Sequence, residues 1–433
     1  MILGGNHELD NAAGADRTTL DALFRRAGVR NADAVALADP PNRENVCGGA
    51  PRWLTYAQAD RAISAMAARL RQLGLPTDAV VAMQLPNTVE SVIALLGVLR
   101  AGMIAAPLPL LWRKQDIVAA LKAVSVKAIV TMSRIGTTAH ADIAMQAAAE
   151  LFPVRYVCGF GGGLPDGVVP LDDVFGAELQ EFLTLPVRPG NAADHVAVYT
   201  FDTAYGSATA RSHAELIVSG RGVYFASGAA EDTNILSPIP LASLAGLSVT
   251  LLPWLLSGGT LNLHHAFDPA TFAAQARTQD GGTIVLPGPM LGTLAEADLL
   301  GSAASIVALW RSPERLTEAP TWFGAARLTD VCCVADTQVN AIRRNDDGLP
   351  GHVVEGPPSA GITTVGGYRL RQMAVDAAVA EVDSIATIVA LPDAVLGQRL
   401  AGHANDLAEI VRELESRGVN PLLADAFAPR NAA

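Results

Sequence analysis

Short apolar runs alternate with runs of helical period along most of the chain, and this alternation constrains the fold more than any other feature. Residues 57–73, AQADRAISAMAARLRQL, set Ile63, Met66, Ala67 and Leu70 on one helical stripe with arginines on the other face, and Gly74 stops it. AVVAMQL (79–85) is a strand-like run, and VESVIALLGVLRAG (89–102) is helical again through Val89, Val92, Ile93 and Leu96. The rhythm continues through a helix near 114–124 and strands near 127–132, 153–158, 195–201, 259–264 and 283–287. Such alternation builds an α/β fold of mostly parallel sheets covered by helices.

At 433 residues the chain is too long for one compact core. RRNDDGLPGHVVEGPPSAG (343–361) is rich in Gly, Pro and charge and reads as a loop or linker. Beyond it the pattern predicts a helix near 372–381, a strand near 385–391 and a helix from about 406 to 417, with Asp406 and Glu409 as its capping pair and Gly418 as its end. The expected division is a large N-terminal domain, 1–360, and a small, shortened α+β C-terminal domain, 361–433.

Half of the residues are apolar and 17% are charged, the composition of a well-buried globular protein rather than a disordered one. A net charge of -12 argues against nucleic acid or an acidic membrane surface as partner. The opening residues, MILGGNHELDNAAG, lack a basic n-region and an apolar h-region, so a cytoplasmic protein is expected. Cys47 and Cys158 are isolated, and adjacent Cys332 and Cys333 lack CxxC spacing, so neither a disulfide framework nor a metal site is expected. Thr233–Asn262 carries no charge, but Pro238, Pro240 and Pro253 with several Gly and Ser make it a buried core segment rather than a membrane span.

The order of motifs is that of a known family. LTYAQADRAISAMAARLRQLGL followed by VVAMQLPNTVESVIALLGVLRAGMIAAPL resembles the N-terminal region of the adenylate-forming superfamily: acyl-CoA synthetases, peptide-synthetase adenylation domains and luciferases. The likeness resumes in LSPIPLASLAGLSVTLLPWLLSGGTLNLHHAFDP (236–269), in FGAARLTD (323–330), and in VGGYRLRQMAVDAAVAEVDSIATIVALPDAVLGQRLAG (365–402), which is similar to the start of that family's mobile C-terminal domain. It covers about two thirds of the chain.

The resemblance implies a reaction in which a carboxylic acid and ATP give an acyl-adenylate, most members then passing the acyl group to a thiol. It also implies a Gly, Ser and Thr loop for the β- and γ-phosphates, a carboxylate for Mg²⁺, and lysines for the loop and the reacting phosphorus. The loop position reads Thr200, Phe201, Asp202, Thr203, Ala204, Tyr205, Gly206, Ser207, Ala208 and Thr209, then Ser212 and His213. Asp202 stands where the family has glycine, and a unit charge about 4 Å from a phosphate charge repels it by about 4 kcal/mol at an effective dielectric of about 20. Ala208 stands where the loop lysine is expected. The only lysines are Lys114, Lys122 and Lys127, and arginine supplies the other basic residues, a poor substitute for a compact point charge. The chain runs out at ADAFAPRNAA, where the family continues into its C-terminal lysine motif. Matched to the family's aromatic-Gly-x-Thr-Glu motif, Phe323, Gly324, Ala325, Ala326 and Arg327 reverse the charge that would face the metal, and no counterpart of the ribose-binding aspartate is clear between Asp330 and Gly366. Ala242 and Ser243 replace an aromatic residue and a histidine.

The residues themselves also allow plainer roles. Asp202 follows a strand and caps a turn more naturally than it acts as a catalytic acid, and His213 packs or caps at a helix start. His264 and His265 point to opposite faces of a strand end. Arg327 is a surface or ion-pair arginine, or an anion ligand. Ser243, Gly246, Pro287 and Gly288 are the candidate acyl pocket or ordinary core packing.

Three readings stay open. The first is a pseudoenzyme with no catalytic residues, metal or cofactor, which binds an acyl group, acyl-CoA or a protein partner. The second is an active acyl-CoA synthetase with a remodelled site that uses ATP, Mg²⁺ and CoA. The third is a regulatory subunit, as a homodimer or in complex with an active ligase.

Overall fold

The computed structural model describes residues 18–176, 188–312, 315–316, 319–351, 361–393 and 395–428. The opening segment and residues 352–360, where the expected domain boundary falls, lie outside them.

Two large sheets carry the fold. The first runs Val169–Pro170, Tyr156–Phe160, Ala128–Met132, Val80–Gln84, Ile104–Pro107, Val196–Phe201, Ala208–Ser212; all its neighbours are parallel except the last pair. The second runs Gln338–Arg343, Arg327–Val334, Ser305–Trp310, Thr283–Pro287, Ile235–Ser237, Leu261–Leu263, Val35–Ala38, Trp53–Thr55, parallel inside and antiparallel at both edges. The fold is thus α/β with mostly parallel sheets, as the alternation requires. Two separate hairpins, Ile362–Val365 with Tyr368–Arg371 and Thr387–Asp393 with Gly397–His403, follow with helices Gln372–Ala380 and Leu407–Ser416.

Helices fill the layer between the sheets. Tyr56–Gln72 begins at a capping box, in which Thr55 accepts from the Gln58 amide and Gln58 returns the bond. Its apolar stripe packs on Val89–Arg100, whose twelve residues are all buried, because it lies between both sheets. The single stripe expected of that helix is therefore only part of its buried surface. Its charged residues are buried in pairs: Glu90 takes both ends of the Arg43 guanidinium (2.7 and 2.8 Å), and Arg100 meets Asp21 and Asp60 (2.7 Å each). The uncharged stretch Thr233–Asn262 is core, folded as strand Ile235–Ser237, a continuous helical passage from Leu244 to Ser257, and strand Leu261–Leu263. Among the described residues no helix is long and apolar enough to cross a membrane.

On the outer face of the first sheet, Trp112, Ile117, Leu121 and Phe201 share one hydrophobic cluster with Tyr368, Val375, Ile388 and Leu414. The C-terminal hairpins and helices are thus packed onto the N-terminal sheet. Helix Leu407–Ser416 has Asp406 as its N-cap, accepting from the Glu409 amide at 2.9 Å, and ends before Gly418 in the left-handed region.

Candidate functional site

Strand Val196–Phe201 of the first sheet and strands Thr283–Pro287, Ser305–Trp310 and Arg327–Val334 of the second point their carboxyl ends at one cavity of about 360 Å³. Crevices at the carboxyl ends of parallel strands are where open α/β sheets bind ligands. The walls are mainly apolar: Leu110, Leu111, Phe201, Ile239, Ala242, Ala245, Pro287 and Leu309. The roof is the hairpin of Ile362–Val365 and Tyr368–Arg371, through Gly366, Gly367, Tyr368 and Arg369. Gly367 has φ of 84°, and a Cβ there would lie 2.3 Å from Arg311 Cδ, so the roof sits directly on that arginine.

The suspected phosphate loop is a closed β-turn region. Thr200 pairs with Thr209 and Phe201 with Ala208 across two antiparallel strands. The Asp202 amide donates to the Ser207 carbonyl (3.0 Å), the Gly206 amide to the Asp202 carbonyl (2.7 Å), and the Ala204 amide to Asp202 Oδ1 (2.9 Å). These three amides are turned into the loop and away from any phosphate. Asp202 Oδ2 also meets Arg369 Nη1 at 2.7 Å, with the side chains only 16% and 13% exposed. The Arg369 amide donates to Thr203 Oγ1 (2.8 Å), and the Thr203 hydroxyl donates back to the Arg369 carbonyl (3.0 Å). Arg371 lies over the Tyr205 ring, 5.4 Å from its centroid. Asp202 is thus a turn cap and an ion-pair partner.

The polar groups on the cavity wall include Ser243, His265, Arg311 and Asp336. Arg311 Nη2 donates to Ser243 Oγ (2.6 Å) and Nη1 to the Gly367 carbonyl (3.3 Å), which ties the roof to the body. Asp336 Oδ1 accepts from the Leu244 amide at 2.8 Å. Burial pushes the Asp336 carboxyl up to about 6 against the opposing pull of Arg311. The Thr200 hydroxyl is close enough to favour the carboxylate, yet Thr200 Oγ1 and Asp336 Oδ2 are both buried without a well-formed hydrogen bond among the described residues. Ala335 and Asp336 have φ of 50° and 55°, a left-handed pair that is uncommon for non-glycine residues. Burial lowers His265 to about 4, with His264 adding to it, so its ring is neutral at pH 7, and burial pushes the Cys333 thiol of the cavity wall up to about 12.

Several sequence expectations need correction. Phe323, Gly324, Ala325 and Ala326 precede strand Arg327–Val334, and Arg327 opens it, at the end opposite the cavity. Phe323 is 80% exposed, and a Cβ on Gly324 would strike the Trp322 ring. No charge reversal at the cavity follows from Arg327, because the carboxylate reaching the wall is Asp336, just past the strand's other end. Placing the strand before the motif would have found it, since Asp336 lies two residues after CCV, just past the strand's carboxyl end. In the candidate acyl pocket, Ser243 and Pro287 line the cavity. Gly246 and Gly288 instead fill tight packing, since a Cβ would lie 1.9 Å from the Pro240 carbonyl oxygen or 2.3 Å from the Trp310 ring. His213 accepts the Leu20 amide at 3.3 Å, and burial lowers it to about 4. His264 Nδ1 meets Gln275 Oε1 (2.7 Å) and Nε2 accepts the Asp268 amide (3.1 Å), so both of its nitrogens are engaged.

Residues 24–201 match the AMP-binding enzyme family. Long-chain fatty acid transport protein 1 of Bos taurus is 28% identical over 265 residues, 59% of this chain and 38% of that protein, so the chain spans well under half of that relative. The apo structure of MbtA from Mycobacterium smegmatis is similar with a TM-score of 0.62 at 19% identity, covering 97% of this chain and 93% of that one. The artificially fused adenylation-PCP di-domain NpsA-ThdA from Klebsiella oxytoca gives 0.67 at 14% identity, covering 93% and 84%. These two likenesses are of fold. With the match over residues 24–201 and a fold of two mostly parallel sheets meeting at one cavity, the chain carries an AMP-binding-enzyme segment on a fold shared with MbtA and NpsA-ThdA.

Proposed function

We propose that this AMP-binding, acyl-CoA-synthetase-like chain holds an acyl group or acyl-CoA in the cavity and makes no adenylate. The observation that carries this reading is the loop at 202–207: the amides of Asp202, Ala204 and Gly206 bond within the loop, and its carboxylate is engaged by Arg369. A triphosphate has no cradle there and would meet Asp202. Arg369 offsets that charge but is itself taken up by the carboxylate. The residues present do not fit a polyphosphate. The cavity fits the other half of the family's chemistry: it is mainly apolar, of a size at the lower end for small-molecule pockets, and carries Ser243, Arg311 and Asp336 to orient a polar head.

One observation favours an active ligase with a remodelled site. Asp336 brings a carboxylate to the cavity wall beside Ser243 and Arg311, where the candidate Mg²⁺ motif of the sequence supplied none. Calorimetric titration with ATP and Mg²⁺, then with CoA and a mixed acyl-CoA pool, separates the two. Saturable heat with acyl-CoA and none with ATP is the expected result. Micromolar ATP binding, or carboxylate-dependent exchange of pyrophosphate into ATP, would overturn the first reading in favour of the second.

A further inference from the structure

The hairpin of Ile362–Val365 and Tyr368–Arg371 pairs with no strand of either large sheet, yet four of its residues line one side of the cavity. Besides its bonds to the neighbouring hairpin, where the Gly366 amide donates to the Leu396 carbonyl and the Thr364 amide to Gln398 Oε1, a set of side-chain contacts to the N-terminal region is concentrated on one loop. Asp202 pairs with Arg369, Thr203 exchanges two hydrogen bonds with the Arg369 backbone, and Tyr205 lies under Arg371. On the opposite side Arg311 reaches the Gly367 carbonyl. Tyr368 adds apolar packing, which is indifferent to charge.

We propose that the Asp202–Arg369 pair, with Thr203, is a latch that fastens the C-terminal hairpin along the cavity, so that the cavity's mouth widens for a ligand when loop 202–207 and strand Tyr368–Arg371 part. A glycine at 202 would supply neither the carboxylate that takes Arg369 nor the side-chain cap on Ala204. The residue that makes the loop a poor phosphate site is then the one that makes it a clasp. The geometry suits this role, because the partly buried ion pair is screened less by solvent than an exposed one, and two backbone-directed hydrogen bonds fix the register of loop on hairpin. That the ligand released is an acyl compound rests on the function proposed above; the latch does not.

The test uses the full chain and compares wild type with Asp202→Asn, Arg369→Gln and the reversed pair D202R/R369D. Amide hydrogen exchange of residues 362–371 reads the latch, and the stopped-flow association rate of 8-anilinonaphthalene-1-sulfonate reads access to the cavity. Either single substitution is expected to speed exchange there about tenfold, which corresponds to about 1.4 kcal/mol. Dye entry should quicken in parallel, and the reversed pair should recover part of the protection. Unchanged exchange in both single variants, with native circular dichroism, would sink the latch. If the singles fold poorly, a reversed pair that folds and exchanges as fast as they do is equally fatal. Dye and acyl-CoA that bind neither wild type nor variants would count against the acyl-binding function, while the exchange rates still decide the latch.

Discussion

A carboxyl group at the wall of a mainly apolar cavity keeps its proton to higher pH than one in water, and Asp336 is such a group, pushed up to about 6 by burial. The sign of its effect on stability follows. Below about pH 4 folded and unfolded chains both hold this proton. Between about 4 and 6 the unfolded chain gives it up first, so this group lowers stability as pH rises, and above 6 its contribution is constant. Asp39, also raised to about 6 by burial and by Glu90, acts in the same direction, so the comparison must isolate Asp336. Urea midpoints of wild type and Asp336→Asn between pH 4 and 7 should diverge by a pH-dependent amount, the wild type losing more as pH rises through that window. Parallel curves would show that Asp336 titrates as an ordinary aspartate. At this scale the sequence was only partly legible. Asp202 reads as a turn cap from its place after a strand, but its pairing with Arg369, 167 residues away, depends on how the C-terminal hairpin docks. Asp336 carries no local signal of its role, because the resemblance places the motif before strand Arg327–Val334 and the cavity lies at the strand's other end.

Helix His213–Ser227 sets two local rules against each other at Gly220. Alanine there would gain about 1 kcal/mol of helix propensity. Its Cβ, however, would lie 2.0 Å from Leu252 Cβ and 2.7 Å from Leu252 Cγ, where helix Leu252–Ser257 crosses, so the helices would have to part. Overpacking costs about 1–3 kcal/mol, so Gly220→Ala should lower the thermal midpoint; a rise would mean that the crossing relaxes freely. The elements legible in sequence are those with long periodic patterns. Tyr56–Gln72, Val89–Arg100, Lys114–Lys122 and Thr283–Pro287 lie within two residues of their expected bounds. Strand Tyr156–Phe160 begins three residues later than expected, and Val35–Ala38 and Trp53–Thr55 were not anticipated, because runs of three or four residues carry too little periodicity to stand out.

At the scale of the molecule, one hydrophobic cluster joins the first sheet to the C-terminal helices and hairpins through Trp112, Phe201, Tyr368 and Leu414. Apolar area shared across such a junction couples the unfolding of the two sides. Urea unfolding followed by tryptophan fluorescence and by far-ultraviolet circular dichroism should therefore show no early, separate loss of the C-terminal region. A low-urea step confined to residues 361–428 in hydrogen exchange would show that the junction contributes little. The sequence by itself determined the α/β class, the order of its main helices and the buried character of Thr233–Asn262, because each is a local pattern. The tertiary structure alone decided which strand joins which sheet, that Asp336 rather than Arg327 faces the cavity, and that Asp202 fastens the roof. Those depend on pairings between residues far apart in the chain, and local periodicity holds no record of its distant partner.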